Sequence, residues 1–328
     1  MKRFKTGVVI GKFYPPHRGH KHLIETALSQ AEHVTVIVCD EADQTIPGEL
    51  RVAWLQEIHP TATVRVERSP LAHDDSAGWA SSTIEWLGQA PDAVFTSESY
   101  GDAYARHVGS THVSVDPDRV TVPISASAIR RDPLGHLDDL EPCVRAYFVK
   151  RVVIIGAEST GTTTLSIALA EHYRTAWVPE FGRLYTEARR YRGETWRSEE
   201  FTYIGVEQAR MEDALGRIAN KVLVCDTDPF ATTIWHERYL GTMSDAVSAV
   251  AATRRYDLYV LTDTDIPFVQ DGIRDGESIR QWMHDRFRDE LSRMTTPFLV
   301  VSGPHERRFA EAVTAIDAIL RVATVWQR

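Results

Sequence analysis

The chain has 328 residues, 43% hydrophobic and 25% charged, with a formal net charge of −9; this is the make-up of a folded protein with room for two α/β domains. Both halves are acidic, so neither carries the basic excess with which a nucleic-acid binder neutralises phosphates, and no nucleic-acid partner is expected. No apolar run approaches the ~20 residues of a membrane span, which excludes a helical membrane protein, and no low-complexity tract indicates a disordered tail.

The first six residues lead straight into an apolar run and leave no room for a signal peptide, so a cytoplasmic protein is expected. Cys39, Cys143 and Cys225 fall at unrelated spacings and form no metal or redox pattern. Cys39 and Cys225 close apolar runs and read as buried thiols.

From Val8 onward, short β-branched runs alternate with helical patterns. Strands are expected at 8–10, 34–39, 63–67, 93–96 and 112–115, with amphipathic stretches such as 20–31 and 50–58 between them. Runs continuous in Val and Ile and separated by helices predict a parallel sheet covered on both faces. The pattern restarts at Arg151: an apolar run at 152–155, a Gly-rich loop and a helix, then strands at 222–225, 258–261 and 298–301. The fold class is therefore α/β, two doubly wound parallel-sheet domains, with domains at 1–148 and 149–328 joined by a helical segment at 141–149. Ligands of such sheets bind beyond the carboxyl ends of the strands, where both Gly-containing loops lie.

Behind the first strand comes Gly11-Lys12-Phe13-Tyr14-Pro15-Pro16-His17-Arg18-Gly19-His20. Gly11 allows close backbone approach to a ligand, and the Pro pair stiffens the loop. His17 and His20 flank a glycine where the next helix starts, a place where the helix dipole and free N–H groups favour phosphate. Two imidazoles at that spacing can bond adjacent phosphate oxygens and stabilise charge developing on them. The bland reading is a surface turn or half a zinc site, but zinc would need further Cys or His ligands close by in the sequence. A second piece is Ile124-Ser125-Ala126-Ser127-Ala128-Ile129-Arg130. Ser125 or Ser127 suits a helix N-cap, and the hydroxyls, amides and Arg130 would meet terminal phosphates from the other side.

The segments GKFYPPHRGH and ISASAIR resemble the signature motifs of the HxGH nucleotidyltransferases. The resemblance implies a Rossmann-like domain in which His17, His20, Ser125, Ser127 and Arg130 bind or activate ATP. Gly11, Lys12, Phe13 and Arg18 would lie along the nucleotide. It also implies direct in-line attack of an acceptor phosphate on the α-phosphorus, with Mg²⁺ helping to neutralise the pyrophosphate. Over nearly the whole chain, the order GKFYPPHRGH, PGELRVAWL, GWASS, TSESYGDAYA, VDPDRVTVPISASAIR, FVKRVVIIGAESTG, WVPEFGR and DTDPFATT is similar to the bifunctional nicotinamide-mononucleotide adenylyltransferase/ribosylnicotinamide kinase (NadR) family. That likeness implies nicotinamide mononucleotide as acceptor. Trp79 is then a candidate to stack on the cationic ring, although Trp79 and Trp86, seven apart, also suit a core-facing helix stripe. Arg51 is a candidate for the acceptor phosphate or else a solvated helix residue.

In the second half, Gly156-Ala157-Glu158-Ser159-Thr160-Gly161-Thr162-Thr163-Thr164 follows an apolar strand and opens a helix, the context of a P-loop. Its amides would cradle the phosphates of ATP, and Thr163 would be the Mg²⁺-side hydroxyl. Thr162, however, occupies the position where a P-loop carries lysine, and a neutral side chain cannot follow charge onto a transferred phosphoryl group. Asp226 and Asp228 end a strand, the place for a Mg²⁺- or hydroxyl-binding carboxylate. Glu180 and Arg183 follow a short strand, Glu180 as a second candidate base and Arg183, with Asp228, as a candidate for the phosphorylated substrate. Arg274 and Arg280, with Gly272 and Gly276, suggest a closing lid that brings positive charge to ATP, one arginine partly replacing the lysine. By resemblance, this P-loop NTPase-like domain phosphorylates nicotinamide riboside.

Two other readings compete. In one, the P-loop domain is a nucleotide sensor or scaffold beside a monofunctional adenylyltransferase, which Thr162 motivates. In the other, the protein regulates transcription of NAD metabolism, since some family members carry an N-terminal helix-turn-helix. The early first strand and the acidic halves argue against that one. The sequence leaves open homo-oligomerisation, amide or acid preference, and which of Glu180 and Asp226 takes the hydroxyl proton.

Overall fold

In the computed structural model, which describes residues 1–68, 75–189, 195–271 and 276–321, the apolar run around Val8 becomes β1 (Phe4–Gly11), the central strand of a five-stranded sheet. It is followed by α1 (Arg18–Gln30), β2 (Ala31–Cys39), α2 (Gly48–Ile58), β3 (Thr63–Glu67), α3 (Ser76–Leu87), β4 (Ala93–Thr96), α4 (Gly101–Val108), β5 (Thr111–Ser114), α5 (Ala126–Arg131) and α6 (Pro142–Phe148). All strands pair in parallel in the order β3-β2-β1-β4-β5. Successive side chains of a strand point to opposite faces, and here both faces are apolar. Val9, Val36 and Phe95 pack with Ile24 and Ala27 of α1, while Val8, Ile37 and Val94 pack with Ala80 of α3 and Tyr104 of α4. The chain moves outward from β1 to β3, then crosses to β4. The crevice beyond the carboxyl ends of β1 and β4 is therefore the switch point at which such sheets bind ligands.

The first unit runs from Met1 to Val144 and the second begins at Arg145, so the division falls within α6. The second unit contains β6 (Lys150–Gly156), α7 (Thr162–Tyr173), β7 (Trp177–Val178), α8 (Phe181–Arg189), α9 (Ser198–Gly216), β8 (Val222–Asp226), α10 (Pro229–Leu240), α11 (Asp245–Ala252), β9 (Leu258–Thr262), α12 (Arg280–Leu291), β10 (Phe298–Val301) and α13 (His305–Arg321). Its sheet is again parallel, in the order β10-β9-β6-β8-β7. Val152 and Ile154 of β6, Val224 of β8 and Val260 of β9 bury against Leu165 and Leu169 of α7 and Ile316 of α13.

Observed strands start or end within a few residues of the expected ones. Cys39, Cys143 and Cys225 are buried and unbridged, and burial pushes the Cys39 thiol up to about 12. Among the described residues no helix is long and apolar enough to cross a membrane.

Candidate active sites

The loop after β1 delivers His17 to the start of α1. His17 has extended backbone (φ −146°, ψ 174°), and its Nδ1 accepts the Gly19 N–H at 3.1 Å, so the imidazole is itself the helix cap. A neutral ring that accepts at Nδ1 carries its proton on Nε2. One turn on, His20 stacks on His17 with ring centroids 3.8 Å apart and planes at 27°, and Phe13 closes on His20 edge-on at 4.9 Å. Burial, with Arg119 adding to it and Asp139 opposing it, lowers the His17 pKa to about 4. Burial first, then His17 and Arg119, hold His20 well below the ordinary histidine range. Both rings are thus uncharged near neutral pH and act as hydrogen-bonding groups. Nδ1 of His20 is buried with no hydrogen-bond partner among the described residues.

On the other side stands α5. Ser125 is its N-cap, with Oγ accepting the Ala128 N–H at 3.2 Å. Arg130 donates through Nη2 to Ser127 Oγ at 3.1 Å and through Nη1 to the Tyr14 carbonyl at 2.6 Å, with the guanidinium 5.1 Å from the Tyr14 ring centre. Gly11, Lys12, Phe13, His17, His20, Ser125, Ser127 and Arg130 all line one cavity of about 800 Å³ at the switch point. The early His loop and the late Ser/Arg segment, more than a hundred residues apart in sequence, therefore face the same space.

Several expected roles in this unit do not survive the geometry. Arg51 is fully buried, not an acceptor ligand. Nε donates to the Ile46 carbonyl at 3.1 Å, Nη1 to the carbonyls of Lys12 (2.5 Å) and Cys39 (3.1 Å), and Nη2 to Asp40 at 2.5 Å. It braces the loop that carries Lys12. Arg18 is exposed and outside the cavity wall, because a residue next to a cavity-facing helix position is turned about 100° away around the axis. The tight turn behind β1 falls on Phe13, at φ 46°, and not on Gly11. Lys12 lines the cavity and pairs with Glu41 at 2.8 Å. Trp79 has a neighbour on its own helix and a cavity beside it. It packs edge-on against Trp86 at 6.2 Å, and it walls a side cavity of about 80 Å³ with Lys12, Cys39, Tyr100 and Tyr104.

Sequence reasoning missed Arg119, Thr96 and Glu98, which also line the large cavity. Asp116 accepts the N–H groups of Val120, Thr121 and Val122 at 2.8–3.0 Å. That turn, just past β5, carries Arg119. The available signal was its position beyond a strand's carboxyl end.

In the second unit, Gly156, Ser159, Thr162, Thr163, Glu180, Arg183 and Asp226 line a cavity of about 130 Å³ with Trp196, Trp235 and Tyr239. A β-carbon at Gly156 would lie 2.1 Å from Thr262 Oγ1, so β6 can only turn into the loop as glycine. Thr163 donates to Asp226 at 2.6 Å. Burial raises the Asp226 carboxyl to about 6, against hydrogen bonds from Thr163 and Thr162 and the charge of Arg183. Asp228, expected to meet substrate, instead caps α10. It is fully buried, accepting the Ala231 N–H at 2.8 Å and the Tyr259 hydroxyl at 2.7 Å. The Thr160 hydroxyl bonds Thr262 and the Ala157 carbonyl, each at 2.7 Å. Gly161 caps α7, and Thr164 is exposed. Arg280, expected in a lid, is absent from the cavity wall and donates to the carbonyls of Ser159 (3.3 Å) and Ile266 (3.0 Å), bracing the loop. Arg308, not anticipated, does the same at the Thr160 carbonyl, 2.7 Å. Arg274 and Gly272 lie outside the described residues.

A His-x-Gly-His turn facing a Ser/Arg helix, and a P-loop facing a strand-end Asp, define a nucleotidyltransferase fused to a P-loop domain. In keeping with this, residues 8–132 match the cytidylyltransferase-like family and residues 151–308 an AAA domain family. The chain is 32% identical to the trifunctional NAD biosynthesis/regulator protein NadR of Escherichia coli K12, over 96% of this chain and 83% of that protein, and it belongs to the NadR family. The NadR of Salmonella typhimurium LT2 is 29% identical over the same shares. A crystal structure of a NadR protein in complex with NR superposes at TM-score 0.78, with 20% identity, covering 98% of this chain and 96% of that one. A second, with NAD and AMP-PNP, gives 0.75 at 20% identity, covering 98% of each. The fold is shared with both.

Proposed function

We propose that this chain makes NAD in two steps: its second unit phosphorylates nicotinamide riboside with ATP, and its first transfers the adenylyl group of another ATP to the resulting mononucleotide, releasing pyrophosphate. The observation that carries the reading is the single cavity of about 800 Å³ faced by His17, His20, Ser125, Ser127 and Arg130.

In the first site a mononucleotide phosphate oxygen attacks the α-phosphorus of ATP, and the bond to the pyrophosphate oxygen breaks. His17, with its proton on Nε2, and His20 donate hydrogen bonds to the phosphates. Arg130 and the serine hydroxyls hold the pyrophosphate end, and Arg119 adds charge. Donors fixed in advance around developing charge are worth more there than in water. Trp79 stacks on the nicotinamide ring from the side cavity.

In the second site the ribose hydroxyl oxygen bonds to the γ-phosphorus, the bridging bond to ADP breaks, and the hydroxyl proton passes to Glu180 or Asp226. Among the described residues no cluster of three or more His, Cys, Asp or Glu could cage a metal. Mg²⁺ needs no such cage, because it binds through substrate phosphates and one or two protein oxygens. The Thr163 hydroxyl and Asp226 carboxylate, adjoining the P-loop, fit that role. When bound, Mg²⁺ would neutralise phosphate charge.

Thr162 favours a second reading, in which the P-loop unit binds nucleotide without transferring phosphate. Incubation with ATP, Mg²⁺ and either nicotinamide riboside or its mononucleotide, with products identified by mass, tests both. NAD from the mononucleotide alone supports the second reading, and no NAD from either defeats the proposal.

A further inference from the structure

The P-loop has lost its lysine, and the side chain in its place is turned to other work. Thr162 hydrogen-bonds Asp226, and its Cγ2 would lie 3.3 Å from a β-carbon on Gly156, so it sits against the floor of the loop. The cavity wall also carries Glu158, Glu180 and Asp226. A triphosphate entering three carboxylates with no cation would meet net repulsion.

Three arginines near the loop are engaged elsewhere. Arg280 and Arg308 bond the Ser159 and Thr160 carbonyls, and Arg238 bonds Glu158 at 3.1 Å. None of the three lines the cavity. Among the described lining residues, Arg183 carries the only formal positive charge.

Arg183 is also well anchored. It lies two residues into α8, whose first N–H, on Phe181, donates to the buried Gln208 side chain at 2.9 Å. Gln208 in turn donates to the Thr227 carbonyl next to Asp226, 3.5 Å. Arg183 bonds Glu187 through Nε at 3.2 Å and Asp271 through Nη2 at 2.8 Å, and its side chain remains 38% exposed. Among the described residues Nη1 has no hydrogen-bond partner, and it can serve a ligand. A guanidinium stays protonated at any working pH and offers donors matched to phosphate oxygens.

We infer that Arg183 is the phosphate-binding cation of the second site, reaching from α8 to the triphosphate of ATP in place of the missing P-loop lysine. The inference rests on the phosphorylation reading above. Charge that builds on the transferred phosphoryl oxygens and the leaving ADP oxygen is met by a side chain from outside the loop.

The test is a double-mutant cycle on the full chain, reading ADP formed from ATP and nicotinamide riboside. Adenylyl transfer releases pyrophosphate and does not contribute to that signal. Arg183→Ala should lower kcat/KM about 100-fold or more, the loss typical of one oxyanion donor. In a Thr162→Lys background, where the loop lysine is restored, the same change should cost less than about tenfold, because the two cations serve one charge. A merely misfolded site would not be rescued this way. If wild type forms ADP and Arg183→Ala stays within about threefold of it, or if Thr162→Lys fails to rescue, the assignment is overturned while the phosphorylation reading stands. If wild type forms no ADP, that reading falls and the assignment falls with it.

Discussion

Gly19 leaves open the space that the His17 ring fills: a β-carbon at position 19 would lie 2.9 Å from Cε1 and 3.1 Å from Nδ1 of His17. The imidazole caps α1 by folding back over this glycine, and His20 stacks on it. Gly19→Ala should therefore displace His17 and lower kcat/KM for NAD formation about 100-fold, the scale of an ångström's misplacement in an active site. Circular dichroism should remain native. Wild-type rates in Gly19→Ala would show that the His17 geometry does not matter to the reaction.

The two sites should be separable. His20→Ala removes a ring from the first cavity and should reduce NAD formation from the mononucleotide about 100–1000-fold, with ADP formation from nicotinamide riboside retained. Asp226→Ala should do the reverse. Loss of both activities in both folded variants would contradict the division of labour.

Arg51 should matter for stability. Removing its side chain takes a donor from the carbonyls of Ile46, Lys12 and Cys39 and leaves Asp40 with Arg68 alone as its cation. A buried acceptor left unsatisfied costs about 1–3 kcal/mol, so Arg51→Ala should markedly lower the urea midpoint. An unchanged midpoint with a raised KM for the mononucleotide would restore Arg51 as an acceptor ligand.

The two units should respond oppositely to pH. In the first, burial lowers His17 and His59 from 6.5 to about 4. The unfolded chain then binds more protons between those values, and stability is lost as pH falls through that window. In the second, burial raises Glu212 from 4.5 to about 7, against Arg254, Arg151 and the Tyr256 hydroxyl. The folded state then binds more protons, and stability is lost as pH rises from about 4.5 to 7. Peptide-resolved hydrogen exchange on the nucleotide-free protein, corrected for intrinsic rates, should show β1–β4 better protected at pH 7 than at pH 5 and β6–β9 the reverse. A Glu212→Gln variant should lose part of the second effect, the remainder coming from Asp226 and Asp228, which burial raises to about 6. A common direction in both units would refute the assignment.

Much of this was legible in the chain itself. The strands at Thr63–Glu67, Ala93–Thr96 and Phe298–Val301 fall where the β-branched runs end against turn residues. The HxGH loop and the P-loop each sit behind an apolar strand, as the order of residues implied. Backbone conformation and capping depend on a few neighbours in sequence, so Gly19, Ser125 and Gly156 announce their positions. The charged side chains were harder to read. Arg51, Arg280 and Asp228 looked like ligands and proved to be buried braces and a cap, whereas Arg119 drew no notice and lines the cavity.

The sequence by itself determined two parallel α/β units and the places where phosphate would meet backbone, because periodicity and turn chemistry act over a handful of consecutive residues. Only the tertiary structure decided which charges face a ligand. A guanidinium or carboxylate takes its role from the carbonyls, hydroxyls and solvent it meets after folding. For Arg51 and Lys12, or Arg308 and Thr160, those partners come from far along the chain.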